Sequence, residues 1–564
     1  MKGKYIMPKY TIGLDFGTLS GRAVLVDVKN GHEIADSAMD YPHAVIDEYL
    51  PGSNKRLPQN TALQHPKDYV DVLKFIIRDV LAKSGVSRED VIGVSVDFTT
   101  CTILPVRRDA TPLCFEEKYK NEFHAYCKLW KHHSAQPYAD KMTRIAEERG
   151  EEWLCRYGGK ISSEWMFPKI WQILDEAPEI YNDCDCIIEA GDWLTWLLTG
   201  RYAKSYAFAA AKAFYIPEMG GYPSDDFFAA ADERLRHVIK DKMDAPILGI
   251  CERVGTVTKE AAESFGLCEG TVVGVPHPDA HVVAPALGLD RVGDLGAVFG
   301  TSSCYMLIGD KPTVAKGTCG TQNEILLPGF YGYESGLCCL GDHFAWLVNN
   351  LAPAEYVEAA KKERIPLIKY MINRLAKKKP GETGLVALDW WNGNRCVLVD
   401  GDLSGLIIGM DLRTRSEDIL RALIEATAFG TKMIIDTYKE SDIPVGRIIA
   451  CGGIARKDPF TMQLFADVLN VEIGIAGSSQ IPALASAIFA AVAAGSKAGG
   501  YDDIFTASGY MNNVSDIRYV PDPEAHRVYM KLYDEYKILH DYFGRGENNV
   551  MKRLRAIKAE SERD

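Results

Sequence analysis

Residues 12–27 read IGLDFGTLSGRAVLVD, and residues 296–310 read GAVFGTSSCYMLIGD. In each, two β-rich runs flank a small polar turn, which is the signal of a hairpin. Phe16-Gly17-Thr18-x-Ser20 in the first matches Phe299-Gly300-Thr301-x-Ser303 in the second, about half the chain away. An internal duplication is the economical explanation. The turns suit phosphate. Glycine lets backbone come close to an anion, and turn N–H groups with Thr and Ser hydroxyls donate to its oxygens. One such turn is usually only a turn. A related pair, one per half, predicts that Gly17, Thr18, Gly300 and Thr301 grip one triphosphate from two sides of a cleft.

Working outward, VIGVSVDFTTCTILPV (91–106) alternates apolar residues and breaks at Asp97 and the threonines. RIIACGGIARKDPFTMQLFADVL (447–469) runs from a strand through Gly452-Gly453 into a helix. There Asp458 is the expected N-cap and Pro459 the first helical residue. Phe460, Leu464 and Val468 follow at helical spacing. A strand, a Gly-Gly turn and a helix start can bed a nucleotide, although most such turns are simple βα connections. ILRALIEATAFGTKMIIDTY (419–438) predicts a long helix with a broad apolar face. VMKRLRAIKAESERD (550–564) predicts a frayed, solvated helix.

A chain of 564 residues is too long for one compact core. The boundary is expected within APALGLDRVGD, which links the two repeats, with one domain at 1–288 and a second at 289–564. The 77 acidic and 64 basic residues leave a net charge of −13, so no global positive field draws in nucleic acid. Fourteen cysteines include no C-x-x-C pair, which points to reduced thiols and a cytoplasmic setting. The N-terminal MKGKYIMPKYTIGLDFG has no sustained apolar core or cleavage site, so a signal peptide is not expected. The most apolar stretch, IPALASAIFAAVAAG (481–495), is too short to span a bilayer. It predicts a buried helix lying close on a sheet.

GVPHPDAHVVAPALG (274–288) sets Asp279 between Pro278 and Ala280. The residues alone leave two readings: a solvated turn carboxylate, or a general base at the mouth of a cleft. Asp15 closes the first strand before its turn and could be an Asx-type cap. Lys212 lies in the apolar YAFAAAKAFYIP, where a lysine usually snorkels. Glu334 lies among aromatics in GFYGYESG.

The paired hairpins with the strand-Gly-Gly-helix segment resemble the actin-like ATPase, or ribonuclease-H-like, architecture. The resemblance narrows to the FGGY carbohydrate kinases, and within them to the bacterial enzymes that phosphorylate L-ribulose. It is carried by DFGT (15–18), DYPHAVID (40–47), LPQNTALQHPKDY (57–69), DFTTCTILPV (97–106), KLWKHHSAQP (128–137) and GGKISSEWMFPK (158–169). It continues through GLVALDWWNGNR (384–395), DLSGLIIGMDLRTR (402–415) and ACGGIARKDPFTMQLFADV (450–468). The order and near end-to-end coverage make it specific.

The resemblance implies an α/β protein of two actin-like domains around a central cleft, binding a sugar and ATP as its small-molecule partners. It implies that Asp279 is the base that deprotonates the attacking sugar hydroxyl. It gives Asp15 a role in holding Mg²⁺, in part through water. Lys212, Glu334 and the Thr100-Cys101 backbone fall to the sugar, with Trp130, Lys131, His132 and His133 near it. Gly452 and Gly453 fall to the nucleotide, Gly405 more weakly, while Asn392 and Arg395 are structural. No nucleic-acid or membrane partner is implied, and a homodimer is left open.

Three positions depart from the family pattern: His277-Pro278 before the base, Leu19 in the first turn, and Thr100 in place of a smaller residue. They leave D-ribulose, xylulose or another polyol as alternative substrates. A non-catalytic sugar sensor and an actin-like filament former are the rivals outside the kinases.

Overall fold

The computed structural model describes residues 8–561. Residues 1–7 of the N-terminal stretch and 562–564 of the charged tail lie outside the described residues. The first hairpin forms as its pattern demands: β1 (Tyr10–Phe16) runs antiparallel to β2 (Ser20–Asp27), which pairs with β3 (Glu33–Asp40). On the other side of β1, β4 (Val91–Phe98) lies parallel. Then come β5 (Arg253–Thr256) and β6 (Val272–Gly274), giving the order β5-β6-β4-β1-β2-β3.

A second sheet repeats this plan. It holds β7 (Leu295–Phe299), β8 (Ser303–Gly309), β9 (Tyr331–Leu337), β10 (Ile448–Cys451), β11 (Ile473–Ala476) and β12 (Val514–Tyr519). Its order is β9-β8-β7-β10-β11-β12, with one further short strand, Gly320–Asn323, beyond β9. The β7–β8 hairpin is antiparallel and β10 lies parallel to β7, as β4 does to β1. The duplication read from two turns therefore extends to four strands in matching order, β3-β2-β1-β4 and β9-β8-β7-β10, while the outer two strands follow in opposite chain order in the two sheets.

The chain divides into two compact units, and these are not the contiguous halves expected. The first comprises 1–290, 322–332 and 480–513. The second comprises 291–321, 333–479 and 514–564. The transfer of 480–513 has a packing cause. Helix Ile481–Ala494, almost wholly buried, lies flush on β1 and β4. A Cβ at Gly13 would overlap the Ala483 carbonyl oxygen, and one at Gly93 would fall 2.7 Å from that of Ala490. The Thr11 hydroxyl donates to the Ala487 carbonyl at 2.9 Å. An alanine-rich helix can approach a sheet this closely only where the strand residues beneath it lack side chains.

In the second unit, helix Ser416–Glu440 matches the predicted long helix. Helix Pro459–Leu469 starts as read, with the Asp458 side chain accepting from the Thr461 amide. The C-terminal helix, Val550–Ser561, departs from the expectation of a frayed tail. Met551 is buried, Arg555 donates to the Gly401 carbonyl at 2.6 Å, and Lys552 pairs with Asp400 at 2.6 Å. Residues 400–404 thus anchor its first turns. No disulfide joins the cysteines among the described residues, and no described helix is long and apolar enough to cross a membrane.

Candidate active site

In the first unit, three carboxylates collect at one edge of the sheet. Asp15 near the end of β1 stands opposite Asp97 near the end of β4. Asp97 in turn stands opposite His277, and Pro278 opposite Phe98, in a short parallel pairing. The Asp279 amide then donates to the Phe98 carbonyl at 2.9 Å. Ligands of open α/β sheets bind outside the carboxyl ends of their strands, which is where Asp15, Asp97 and Asp279 sit. The proline at 278 fits this register, because Asp279 supplies the amide that closes the pairing. His277 stacks on Phe489 with ring centroids 3.9 Å apart. Burial holds its pKa down at about 3, so it is a neutral packing residue.

Burial raises the Asp15 pKa, and the Arg22 guanidinium at 3.4 Å opposes that only partly. Asp97 is raised well above the usual carboxylate range, first by burial and then by the charges of Asp15 and Asp279. Its Oδ2 accepts from the Ser486 hydroxyl at 2.7 Å, while its buried Oδ1 has no hydrogen-bond partner. Crowded carboxylates with an unsatisfied oxygen suit a hard divalent cation, which favours such oxygens and neutralises their repulsion. Asp97 was read in the sequence only as a strand break. The signal that could have found it is its position at the end of the strand next to the Asp15 strand.

This arrangement has a consequence for stability. An aspartate whose pKa rises on folding holds more protons folded than unfolded at intermediate pH. Stability therefore falls as pH climbs from the ordinary carboxylate value through the raised one. Asp97→Asn removes that penalty. The metal-free variant is expected to melt above the parent at pH 8, by a margin that shrinks toward pH 5. A margin that is constant or grows toward pH 5 in thermal scans would contradict the electrostatic account.

The first turn is held from behind. The Gly17 amide donates to the Ser20 carbonyl at 3.1 Å, and the Tyr41 hydroxyl donates to the Gly17 carbonyl at 3.0 Å. Gln64 donates to the Thr18 carbonyl at 2.6 Å and the Trp130 indole to the Thr18 hydroxyl at 3.1 Å. Trp130 thereby supports the turn. His132 is a buried core histidine, bound to the Ala62 amide, Gln172 and Ser134. His133 is exposed. Leu19, at the tip, is 59% exposed. A Cβ at Gly17 would meet nothing closer than 3.7 Å, so packing does not require glycine there.

Cys101 is buried with a left-handed φ of 59°, and the Lys212 charge acts on it. Lys212 closes helix Tyr206–Lys212, with its ammonium 5.7 Å from the centre of the Trp165 ring. The first unit therefore gathers Asp15, Thr100, Cys101 and Asp279 around the end of β4, with Lys212 close by.

Gly300, Thr301, Glu334, Gly405, Gly452 and Gly453 belong to the second unit. The Gly300 amide donates to the Ser302 carbonyl at 3.0 Å. Helix Gly341–Leu351 begins against this turn, its Gly341 amide donating to the Gly300 carbonyl at 3.1 Å and the Leu340 amide to the Thr301 carbonyl at 2.8 Å. Gly452 takes a φ of 99°, and a Cβ there would overlap the Phe299 carbonyl. A Cβ at Gly453 would meet nothing within 4 Å. The two glycine turns are thus neighbours at the ends of β7 and β10. At Gly405 the missing side chain is accounted for by the Trp391 ring lying against it. Glu334 sits in β9, where its backbone carbonyl accepts from the Cys319 amide at 2.9 Å.

The N-terminal domain model of the FGGY family of carbohydrate kinases matches residues 10–283, and the C-terminal domain model matches 295–494. The chain belongs to the FGGY family of carbohydrate kinases. This FGGY kinase is 50% identical to the protein named ribulokinase from Geobacillus thermodenitrificans, over 98% of this chain and 97% of that one. It is 48% identical to the ribulokinase of Halalkalibacterium halodurans, over 98% of each. Among solved structures, ligand-bound xylulose kinase from Lactobacillus acidophilus aligns with a TM-score of 0.76 at 19% identity, over 94% of this chain and 98% of that one. Plasmodium falciparum glycerol kinase with ADP aligns at 0.72 and 15%, with the same coverage. These likenesses establish the fold of this FGGY kinase as the two-domain, actin-like one.

Proposed function

We infer that the chain is a ribulokinase, moving the γ-phosphoryl group of ATP to the C5 hydroxyl of L-ribulose in arabinose use. The observation that carries this reading is identity of about half, over 98% of the chain, with relatives named for that activity. Asp279 takes the proton of the C5 hydroxyl as its oxygen attacks the γ-phosphorus in line, and the bond to ADP breaks. Proton acceptance requires the carboxylate within roughly 2.6–3.2 Å of the hydroxyl. The Thr18 and Thr301 amides and hydroxyls donate to phosphate oxygens, Gly17 and Gly300 let the backbone come close, and Gly452 and Gly453 leave room for the nucleotide. Asp15 and Asp97 would hold Mg²⁺, which supplies charge neutralisation at the phosphates. Lys212, Glu334 and the Thr100-Cys101 backbone bind the sugar, and Thr100 adds a hydroxyl there.

The test is ADP release with MgATP and L-ribulose, D-ribulose, D- and L-xylulose or glycerol. L-ribulose is expected to give the highest kcat/KM. A tenfold preference for another sugar would replace the substrate and keep the kinase. Sugar binding without sugar-dependent ADP release would favour the sensor reading.

A further inference from the structure

We propose that Lys169 and Glu189 are positioning residues that clamp the Cys101 peptide from both ends and so fix the turn offered to the sugar. The proposal rests on the reading of Thr100-Cys101 as a sugar contact.

Cys101 is neither glycine nor asparagine, yet it holds a left-handed φ of 59° in the interior. Such a conformation persists only where the surroundings over-determine it. Here they do so at both polar groups of the residue. Its amide donates to Glu189 Oε1 at 3.1 Å. Its carbonyl accepts from Lys169 Nζ at 2.7 Å. Lys169 also donates to the Leu129 carbonyl at 2.8 Å, tying the turn to the segment that leads into Trp130.

Both clamp residues are buried, and burial shifts the pKa of each. Burial lowers the Lys169 pKa to about 8, against the opposing charges of Cys101, Glu189 and Glu164. Burial, with Asp192 beside it, raises that of Glu189 to about 8. An ionisable pair kept dry at this cost is unlike a solvated surface pair, which would hold no geometry.

The rest of the turn is tied to the catalytic edge. The Thr99 amide donates to the Phe16 carbonyl at 3.2 Å, and the Thr99 and Thr102 hydroxyls share a hydrogen bond of 2.8 Å. The Ala190 amide donates to the Thr102 carbonyl at 2.8 Å. The carbonyl of Phe98, one residue before the turn, receives the Asp279 amide. The clamp therefore sets the turn relative to the base without touching substrate itself.

Three variants test it. Lys169→Met removes the donor to the Cys101 carbonyl. Glu189→Asp keeps the carboxyl group but shortens the reach to the Cys101 amide. Glu189→Gln keeps both reach and an acceptor oxygen. The first two are expected to raise KM for L-ribulose at least tenfold while KM for MgATP stays within twofold. Glu189→Gln should remain within threefold of the parent in both. A generally loosened fold would move both KM values or only the active fraction, and Glu189→Asp decides if Lys169→Met does not accumulate. Unchanged sugar KM in a folded variant, or equal shifts for sugar and ATP, overturns the clamp. If the parent itself releases no ADP with any sugar, the underlying kinase reading has failed instead. If only another sugar supports turnover, the same comparison is made with that sugar.

Discussion

Asp279→Asn is expected to lower kcat for L-ribulose by roughly 10²–10⁴-fold, the usual worth of a positioned general base. Asparagine keeps the size of the side chain, and the Asp279 amide that bonds the Phe98 carbonyl is backbone and survives. The variant should therefore fold. What it loses is a carboxylate able to take the proton as the hydroxyl oxygen forms its bond to phosphorus. Calorimetry should still detect L-ribulose binding, and KM for MgATP should stay within about threefold of the parent, because phosphate donors lie in the glycine turns. A second effect follows from charge. Asp279 is one of the groups that raise the pKa of Asp97, so its neutralisation relieves that repulsion. The variant should not lose stability. If it keeps more than a tenth of the parent kcat, Asp279 is not the base.

Gly13→Ala is expected to damage the first unit more than any other single methyl group added to β1. The new Cβ would overlap the Ala483 carbonyl oxygen and approach the Ala487 amide nitrogen to 2.6 Å. Both obstacles are backbone of a buried helix, so no side chain can swing aside. Overpacking of a tight core costs about 1–3 kcal/mol and occasionally more, and a rigid backbone obstacle belongs at the upper end. Roughly 3 kcal/mol corresponds to a fall of about 4 °C in the melting of a unit as large as this one, at roughly 2.1 cal/mol/K of unfolding entropy per residue. Calorimetry or thermal scanning reads this directly. A melting temperature within about 2 °C of the parent would show that helix Ile481–Ala494 does not need its close seat on β1. The same helix supplies the Ser486 hydroxyl to Asp97, so a shifted helix would also disturb the proposed cation site.

Both outcomes bear on how far the chain could be read without its structure. The hairpins at 12–27 and 296–310 were legible because their determinants are local: alternating burial, a glycine in the turn, small hydroxyl side chains beside it. The start of helix Pro459–Leu469 was legible for the same reason, with Asp458, Pro459 and the helical spacing all within a few residues. The reading of Asp279 as the base was not local in this sense. Its segment admits a solvated turn, and the resemblance of the whole chain to a kinase family is what selected the other reading.

Some features depended on distance along the chain. The buried helix at 481–494 was foreseen, but not that its sheet is the first one. Its pattern says only that it must lie close against something, while Gly13 and Gly93 say only that something lies close to them. Asp97 carried no motif, and it acquires meaning through its register beside Asp15 and its burial near Asp279. His132 looked like a sugar contact by position and is a core residue by its partners. Lys169 and Glu189 reach Cys101 from far along the sequence. Local backbone preference and apolar periodicity are written residue by residue, so the sequence by itself determined the strands, the turns and the duplicated plan. Which carboxylates share one dry edge, and which backbone an alanine helix covers, are settled only when distant segments exclude water together, and that the tertiary structure decided.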